Sequence, residues 1–344
     1  MVTDLRPVIL SGGVGARLWP LSTKEIPKQF APLIDSRTLF SLTLERVEQL
    51  ADVTSVTVVT GHRHAALVHD ELVSLSITSS VLVEPEGRNT APAAVAAASI
   101  ADPGDVLLIL PADHLISDQA GFQDAVRVAV ELATDGAVAT FGMTPSRPET
   151  GYGYIEPGER IGRAHAIARF KEKPGASEAR ELSSDGHHLW NSGMFVATAD
   201  TILGEAERLC PDVLEAVRAS LPSRPDGVIP LGEAFSSAPS ISFDHAIMEH
   251  TSQGRVIPAD FGWSDIGSYV SLLEASDRGG GGNHSSGDVT LADVTGSYIK
   301  ATSRKVVVAG LEDVVVVETP EAVLVMSLDR AQDVRELRRL ATGD

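Results

Sequence analysis

Residues 1–145 alternate short apolar runs with longer segments of helical periodicity. The apolar runs are rich in β-branched residues, which is typical of strands buried on both faces. The predicted strands are Val8–Leu10, Val56–Thr60, Ser80–Val83, Val106–Leu110 and Ala137–Gly142, and the predicted helices are Leu39–Leu50, Ala65–Leu75, Ala93–Ala101 and Phe122–Ala133. This alternation predicts an α/β fold with a mostly parallel, Rossmann-like sheet that binds ligands beyond the carboxyl ends of its strands.

The rest of the chain predicts a second, smaller module. Two helices are expected at Ala199–Leu209 and Val213–Leu221, and the glycine-rich stretch from Arg278 to Asp288 predicts a linker. Short strands then follow at regular spacing, with a charged helix after them: Ser297–Ala301, Val306–Ala309, Val314–Val317, Ala322–Met326 and Ala331–Leu340. We therefore expect a large α/β domain over residues 1–278 and a small β module over residues 288–344, used for packing or dimerisation.

Composition argues against nucleic acid and membrane as partners. The 344 residues carry a net charge of −19, so cations that bind phosphates have to be placed individually. Cys210 is the single cysteine, which excludes a disulfide framework and predicts a small buried apolar residue. We find no apolar run near the ~20 residues of a membrane span and no signal peptide, and we expect a cytoplasmic protein.

The segment after the first predicted strand has the composition of a phosphate-binding turn. Its residues expected to contact a nucleotide are Leu10, Ser11, Gly12, Gly13, Gly15, Arg17 and Lys28. Glycine tolerates positive φ and lets a ligand approach the backbone, and successive N–H groups in such a turn bind anions. Together with the two cations, this pattern predicts a nucleoside triphosphate site, although a tight turn without a ligand gives the same glycines.

Three known phosphate loops do not fit this segment. No lysine follows the glycines as in a P-loop, Leu18 replaces the third glycine of a dinucleotide fold, and the other kinase segments are missing. Two motifs resemble those of the sugar-phosphate nucleotidyltransferases, in particular the mannose-1-phosphate guanylyltransferase branch. They are Leu-Ser-Gly-Gly-Val-Gly-Ala-Arg-Leu-Trp-Pro-Leu-Ser, which begins at Leu10, and Pro27-Lys28-Gln29-Phe30. Ser11 favours that branch, because the related uridylyl- and thymidylyltransferases usually have alanine there.

This resemblance covers residues 6–335 and implies both a fold and a reaction. The implied fold is a GT-A-like nucleotidyltransferase domain with a partial left-handed β-helix, and the family expectation is a homodimer. The implied substrates are GTP and mannose 1-phosphate, the products are GDP-mannose and pyrophosphate, and the cofactor is Mg²⁺. Since the sugar phosphate is already an anionic nucleophile, it would attack the α-phosphorus in line, and catalysis would be positioning plus charge neutralisation.

A buried strand followed by Pro111-Ala112-Asp113-His114 carries a carboxylate to the expected ligand edge of the sheet. A carboxylate that faces phosphates is useful with a divalent cation, and Mg²⁺ typically combines one or two carboxylates with substrate phosphates. The alternative is that Asp113 caps the next helix. By resemblance, Asp265 in Gly-Trp-Ser-Asp-Ile-Gly supplies the second carboxylate, although Tyr269 stands where the family usually has tryptophan.

By the same resemblance, two further groups of residues contact the substrates. The nucleoside group is Glu84, Arg88, Asn89, Thr90, Pro111 and Asp113, with Asn89 or Thr90 also capping the alanine-rich helix. The sugar-phosphate group is Gly151, Tyr152, Gly153, Glu172, Lys173, Asn191 and Asp265. Lys28 and Arg17 would hold the triphosphate, Lys173 would hold the attacking phosphate, and Asp113 with Asp265 would hold Mg²⁺.

Several other interpretations stay open or are set aside. The chain could act on another sugar 1-phosphate, or it could be a GDP-mannose-binding regulator without activity. The segment Phe243–Glu249 is expected to be a structural helix behind the site, and the spacing of His62, His64 and His69 fits no standard metal site. Longer relatives carry a phosphomannose isomerase domain, and since this sequence ends at Asp344 we expect no isomerase activity.

Overall fold

A computed structural model describes residues 4–13, 15–34 and 37–343. The strands are, in chain order, β1 (Leu5–Ser11), β2 (Val56–Gly61), β3 (Ser79–Glu84), β4 (Val106–Pro111), β5 (Leu115–Ile116), β6 (Val138–Met143), β7 (Tyr154–Ile161), β8 (Ala164–Lys171), β9 (Leu189–Thr198), β10 (Val228–Pro230), β11 (Gly254–Ala259), β12 (Trp263–Ser264), β13 (His284–Ser286), β14 (Val289–Ala292), β15 (Tyr298–Ala301), β16 (Val306–Ala309), β17 (Val314–Glu318) and β18 (Val323–Ser327).

The α-helices follow the same chain-order numbering. They are α1 (Leu39–Glu48), α2 (Ala65–Ser74), α3 (Thr90–Ile100), α4 (Gln119–Thr134), α5 (Ala176–Ser184), α6 (Ala199–Leu209), α7 (Pro211–Ser220), α8 (Tyr269–Ala275) and α9 (Val334–Thr342). Short 3₁₀ turns span Ala16–Leu18, Lys28–Phe30, His62–His64, Glu233–Ser237, Gly280–Gly282 and Leu328–Asp333, and a π-helical turn spans Asp244–Met248. None of the helices in these described ranges combines the length and the apolar character needed to cross a membrane.

The chain forms two compact units that are not continuous in sequence. The first unit contains Glu45–Ala112, Ile116–Trp263 and the N-terminal stretch that ends at Gly12. The second contains Gly13–Leu44, Asp113–Leu115 and the C-terminal stretch that begins at Ser264. The chain therefore leaves the first unit and returns to it, passing from one unit to the other within the glycine turn and after β4.

A ten-stranded mixed sheet organises the first unit. Its order is β10-β3-β2-β1-β4-β9-β6-β11-β8-β7, and the run from β10 to β4 is parallel. Ser11 pairs with Thr60, Gly61 with Glu84, and Leu10 with Pro111, so these strands end at one edge of the sheet. This confirms the predicted α/β class, and it sets the carboxyl ends of β1, β3 and β4 at the same edge, as the strand–helix alternation predicts.

The core of the first unit depends on small side chains. Every residue of α3 from Ala91 to Ala98 is buried, because this helix lies between the sheet and the helices α6 and α7. Alanine and proline keep the helix thin, so its backbone approaches its neighbours closely. A second layer stacks Phe122, Phe141 and Phe261 around α4, at ring distances of 5.5–6.3 Å.

Parallel coils of strand build the C-terminal part of the second unit. Strands β13, β15 and β17 pair in parallel, as do β14 and β16, so successive strands alternate between two sheets in the manner of a β-helix. Val294, Ile299, Val308 and Val316 fill the space inside these coils. The predicted linker is wrong in part, because His284–Ser286 within it is the first strand of this module.

Cys210 and the three histidines near α2 are predicted to have no functional role. Cys210 is half-buried against the hydrophobic core of the first unit, and burial raises the pKa of its thiol to about 11. His64 is buried at the start of α2, while His62 and His69 are exposed, and no cluster of three metal-ligating residues occurs within the described part of the chain.

Glu318 in β17 is a buried carboxylate that organises a turn in the second unit. Its oxygens accept hydrogen bonds from the backbone N–H groups of Thr302, Ser303 and Arg304 at 2.9–3.1 Å, and from the Ser303 hydroxyl. The Ser303 hydroxyl and the N–H groups of Ser303 and Arg304 lower the pKa of Glu318 to about 2.

We expect Glu318→Gln to lower the melting temperature at neutral pH. Because the carboxyl ionises far more readily in the folded state than at its ordinary value of 4.5, it stabilises the fold above that pH, and the stabilisation is lost as the pH falls towards about 2. The difference in melting temperature between wild type and variant should shrink over this range. Glu312→Gln, at an exposed position of the same module, is the control, and a difference that does not change with pH would contradict the prediction.

Candidate functional site

A buried lysine joins three distant segments of the second unit. Lys28 lies in the 3₁₀ turn Lys28–Phe30 and is only 5% exposed. Its ammonium contacts a carboxylate oxygen of Asp113 at 2.7 Å and donates a hydrogen bond to the backbone carbonyl of Asp265. Burial opposes ionisation of Asp113, but the charge of Lys28, with a smaller contribution from His114, outweighs it and lowers the pKa of Asp113 below its ordinary value.

The structure excludes one of the two interpretations of Asp113, that of a helix cap. The helix that follows, α4, is capped by Asp118, whose carboxylate accepts a hydrogen bond from the Gly121 N–H at 3.0 Å. Asp113 therefore does not cap that helix, and its carboxylate, 29% exposed, is directed to Lys28. A carboxylate that is ionised, partly accessible and next to an ammonium suits a site for phosphates and a metal ion.

The three glycines of the turn, Gly12, Gly13 and Gly15, differ in what surrounds them. Gly15 has φ of +68°, and a Cβ there would lie 2.3 Å from the Lys28 Cβ, so both the conformation and Lys28 exclude a side chain. Gly12 and Gly13 are exposed, and a Cβ at either would meet no protein atom. A ligand can therefore approach this backbone without meeting a side chain of these two residues. Val14, between them and Gly15, lies outside the described residues.

The remaining predicted nucleotide contacts of this segment have protein partners. In the first unit, the Leu10 carbonyl accepts a hydrogen bond from the Ala112 N–H at 3.0 Å, and the Ser11 carbonyl accepts one from the Thr60 hydroxyl at 3.1 Å. In the second unit, the Arg17 guanidinium donates to the Gln332 side chain at 3.3 Å rather than to the partners of Lys28. The predicted triphosphate role of Arg17 stays a prediction.

The donor set of the second unit fits a hard divalent cation. Asp265 is half-buried, and one of its carboxylate oxygens accepts a hydrogen bond from the Gly267 N–H at 2.9 Å, which fixes the side chain in a tight turn. Lys28 contacts both this residue and Asp113, so the two predicted ligands belong to one local arrangement. Two carboxylates supplemented by substrate phosphates are a usual environment for Mg²⁺, whereas a cluster of three protein ligands is not required.

In the first unit, Glu84 ends β3 with a carboxylate that the protein does not fully satisfy. Glu84 is 5% exposed, and its Oε1 is buried without a hydrogen-bond partner among the described residues. Burial raises the pKa of this carboxyl to about 7. Buried polar atoms without a partner are rare, and one that lies at the carboxyl edge of a sheet is a candidate for contact with a ligand.

The segment after Glu84 leads into α3 and is tied down at several points. Asn89 has φ of +68°, and its side chain accepts a hydrogen bond from the Thr90 N–H at 2.9 Å, which confirms Asn89 as the cap of α3. The Thr90 hydroxyl accepts a hydrogen bond from the Phe243 N–H at 2.8 Å. Arg88 pairs with exposed Glu86 at 2.7 Å and keeps a buried Nε without a partner among the described residues.

The predicted sugar group forms one cluster in the first unit. The Gly153 carbonyl accepts a hydrogen bond from the Asn191 N–H at 2.8 Å, and the Tyr152 carbonyl accepts one from the Lys173 N–H at 3.2 Å. A Cβ at Gly153 would lie 2.6 Å from Oε2 of Glu172, so the glycine is needed for this close approach. The structure thus brings together Tyr152, Gly153, Glu172, Lys173 and Asn191, whereas the Gly151 N–H donates to the Glu149 side chain at 3.1 Å.

One carboxylate oxygen of Glu172 has a partner in the protein, and the other has none among the described residues. The carboxylate is 5% exposed; Oε1 contacts the Lys173 ammonium at 2.6 Å, whereas Oε2 is buried and has no partner among the described residues. Lys173 adopts φ of +44°, a conformation rare for a residue with a Cβ, and more than half of its side chain is exposed. An acceptor without a partner beside an accessible cation suits a hydroxylated anion.

Aromatic rings border this cluster. The Tyr152 ring packs edge to face against Trp190 and Trp263, with both centroids 5.2 Å away. The Trp190 indole nitrogen is buried without a partner in the described part of the chain, which leaves a further donor near the cluster. The sequence does not predict a role for either ring, because single aromatic residues between short strands give no periodic signal.

Asp244 is the residue of this cluster that sequence reasoning misses. Its carboxylate accepts a hydrogen bond from the Asn191 side-chain amide at 2.6 Å. The surrounding segment, predicted to be a structural helix, forms a π-helical turn, a geometry that is frequent at functional sites. The pairing is not predictable from local spacing because Asn191 and Asp244 are far apart in the sequence and meet only in the folded chain.

Comparison with known proteins extends this picture over the whole chain. Residues 6–279 match the family model described as nucleotidyl transferase, and residues 287–340 match a MannoseP isomerase/GMP-like beta-helix domain. The chain is 43% identical to the xanthan biosynthesis protein XanB of Xanthomonas campestris pv. campestris strain B100, and 40% identical to a mannose-1-phosphate guanylyltransferase of Escherichia coli. These matches cover 98% and 96% of this chain and 73% of each relative.

A solved structure agrees with the sequence relatives. A crystal structure from Thermus thermophilus, described as a mannose-1-phosphate geranyltransferase, superposes with a TM-score of 0.88 at 32% identity and covers 99% of this chain and 100% of its own. The match spans the large mixed sheet as well as the β-helix coils. The chain belongs to the nucleotidyl transferase family and is an enzyme fold of that family followed by a β-helix domain.

Proposed function

We propose that this protein transfers GMP from GTP to α-D-mannose 1-phosphate, giving GDP-mannose and pyrophosphate. The observation that carries the proposal is the contact of buried Lys28 with Asp113 and Asp265, in a chain similar over nearly its whole length to proteins named mannose-1-phosphate guanylyltransferase. The contact sets a cation against the carboxylate of Asp113 and against the backbone of Asp265, whose own carboxylate accepts from the Gly267 N–H. Placed cations and metal-binding carboxylates are recurring parts of phosphoryl-transfer sites.

In this mechanism, the chain positions phosphates and neutralises their charge. An ammonium has three donors, and Lys28 uses two of them on Asp113 and Asp265, so one is left for a phosphate oxygen. We propose that Arg17 and the exposed backbone of Gly12 and Gly13 add further contacts to the triphosphate. A phosphate oxygen of the sugar phosphate attacks the α-phosphorus, the bond to the β-phosphate oxygen breaks, and pyrophosphate leaves.

We propose that Asp113 and Asp265 hold Mg²⁺, which when bound neutralises charge on the phosphates. Lys28 keeps Asp113 ionised, which a metal ligand requires. The nucleophile needs no general base because the sugar phosphate is anionic at neutral pH. From the family resemblance we also propose a homodimer that works in the cytoplasm.

Glu84 supports guanine as the base. Guanine presents two adjacent N–H donors on one edge, and a carboxylate can accept both, whereas neither adenine nor uracil offers such a pair. The buried, unpartnered Oε1 of Glu84 stands at the end of β3, before the segment proposed to contact the nucleoside. A site with an acceptor that only the correct substrate satisfies discriminates strongly against the others.

The sugar phosphate is proposed to bind the cluster around Glu172 and Asn191. The unpartnered oxygen of Glu172 would accept a hydrogen bond from a sugar hydroxyl, and Lys173, on the exposed side, would meet the phosphate. We include Gly151, Tyr152 and Gly153 as backbone contacts, and Arg88, Asn89, Thr90, Leu10, Ser11 and Pro111 as neighbours of the nucleotide.

The first experiment is an assay of pyrophosphate release with Mg²⁺ and GTP, in the presence and absence of mannose 1-phosphate. In parallel assays, ATP or UTP replaces GTP, and glucose 1-phosphate replaces mannose 1-phosphate. Release that requires both GTP and mannose 1-phosphate is expected. Pyrophosphate release with a different pair of substrates only would mean that the reaction type is right and the substrate assignment is wrong. Tight GDP-mannose binding without any pyrophosphate release would mean that the protein is a regulator.

Replacing Lys28 should separate folding from catalysis. We expect Lys28→Met to lower kcat by about 10²-fold, because a buried cation aimed at phosphates contributes mainly in the transition state. Lys24→Met removes an exposed charge from the same loop and should leave kcat unchanged. Melting temperatures establish that both variants fold, and near-normal turnover by a folded Lys28→Met would contradict the role of this lysine.

Replacing Glu84 should change the choice of base. Glu84→Gln keeps the size of the side chain but retains one acceptor oxygen instead of two, so we expect the ratio of kcat/KM for GTP to that for UTP to fall by about tenfold or more. Exposed Glu48→Gln is the control. If both variants discriminate between GTP and UTP as the wild type does, Glu84 does not recognise guanine.

A further inference from the structure

The sugar cluster depends on a side-chain amide whose orientation is fixed from one side. Asn191, on β9, is 6% exposed. Its Oδ1 lies 2.9 Å from the Thr140 hydroxyl, which also lies 2.8 Å from the Met194 carbonyl and can donate to either. The hydroxyl therefore does not settle which way the amide is turned.

Asp244 settles this orientation. In its ionised form the Asp244 carboxylate can only accept, so the atom of Asn191 that lies 2.6 Å away is then the amide nitrogen. An amide nitrogen carries two hydrogens, and the second one is left for another acceptor. The turned-over amide would place two oxygens against each other, which is unfavourable at this distance.

The position of Asp244 is itself fixed by both substrate-binding segments proposed for the first unit. Asp244 opens the π-helical turn, and the preceding residue, Phe243, donates its N–H to the Thr90 hydroxyl at the start of α3. Glu249, just after the same turn, accepts a hydrogen bond from the Glu172 N–H at 3.2 Å. The turn is thus held at its two ends by the nucleoside segment and by the sugar segment.

A purely structural role explains this carboxylate poorly. Burial and the charge of Glu172 both raise the pKa of Asp244, while Lys173 and the Asn191 amide oppose the shift. Glu249, just after the same turn, adds a further acidic group near Glu172. An asparagine would fit here at a lower electrostatic cost, so an ionisable acid at this position suggests a requirement beyond packing.

We propose that Asp244 is a positioning residue for the sugar phosphate, because it turns the Asn191 amide so that its second N–H faces a substrate hydroxyl. This role rests on the proposed function of the site. It assigns to the π-helical turn a task in sugar recognition, whereas the sequence suggests only a supporting helix. Asp244 itself would contact Asn191 and not the substrate.

The test compares binding of a ligand with a sugar to binding of one without. Calorimetry with GDP-mannose and with GTP in the presence of Mg²⁺ is applied to wild type, Asp244→Ala, Asp244→Asn and the control Asp226→Ala, which removes an exposed carboxylate of the same unit. We expect Asp244→Ala to weaken GDP-mannose binding about tenfold and to leave GTP binding unchanged. Asp244→Asn should recover only part of the affinity, because its amide oxygen can still accept from Asn191 but its amide nitrogen can face Asn191 instead and no longer fixes the orientation.

A double-mutant cycle separates positioning from general damage. If Asp244 acts through Asn191, then Asp244→Ala should have little further effect on GDP-mannose binding in the Asn191→Ala background. Full additivity, or an equal loss of GTP affinity in a folded Asp244→Ala, would overturn the role of Asp244. A wild type that binds neither nucleotide would instead overturn the proposed function, so the two failures are distinguishable.

Discussion

The buried ammonium of Lys28 ties together three separate segments of the second unit. Moving a charge out of water is expensive, and a buried ion pair is favourable only when hydrogen bonds satisfy its groups. Lys28 obtains these partners from Asp113 and Asp265, which come from segments far apart in sequence. The same side chain leaves no space for a Cβ at Gly15, so the glycine turn, the segment after β4 and the late aspartate segment constrain one another.

In the first unit, several buried polar atoms lack a hydrogen-bond partner within the described part of the chain. Glu84 and Glu172 each bury an oxygen without a partner among the described residues, and Trp190 buries a nitrogen in the same way. Such atoms cost free energy in the absence of a ligand. Ligand binding would recover that free energy only when the ligand offers the right donors and acceptors, so the cost becomes a source of specificity.

Sequence reasoning succeeds where the backbone pattern alone determines position. A strand that ends at Ser11 and others that end at Glu84 and Pro111 share an edge because parallel strands with helical connections leave little choice. The predicted linker is wrong in part because glycines can also form tight corners: Gly281 turns with φ of +72° shortly before the first β-helix strand. Composition does not distinguish a flexible connection from a tight corner. The partners of individual side chains are harder to predict from sequence. Arg17 and Lys28 are both predicted phosphate ligands, yet Arg17 contacts Gln332 whereas Lys28 contacts Asp113.

Tyr269 shows how such long-range contacts can adapt to a change of residue. This position departs from the tryptophan usual in the resembling family, and the tyrosine ring is fully buried. Its hydroxyl lies 3.1 Å from the carbonyl oxygens of Leu18 and Trp19, the residues that follow the glycine turn. A buried hydroxyl requires such partners, so the exchange keeps an aromatic ring beneath the turn and adds a polar tie to its backbone. Two protein side chains therefore constrain Gly15 and the residues after it: Lys28 lies against Gly15, and Tyr269 contacts the backbone of Leu18 and Trp19.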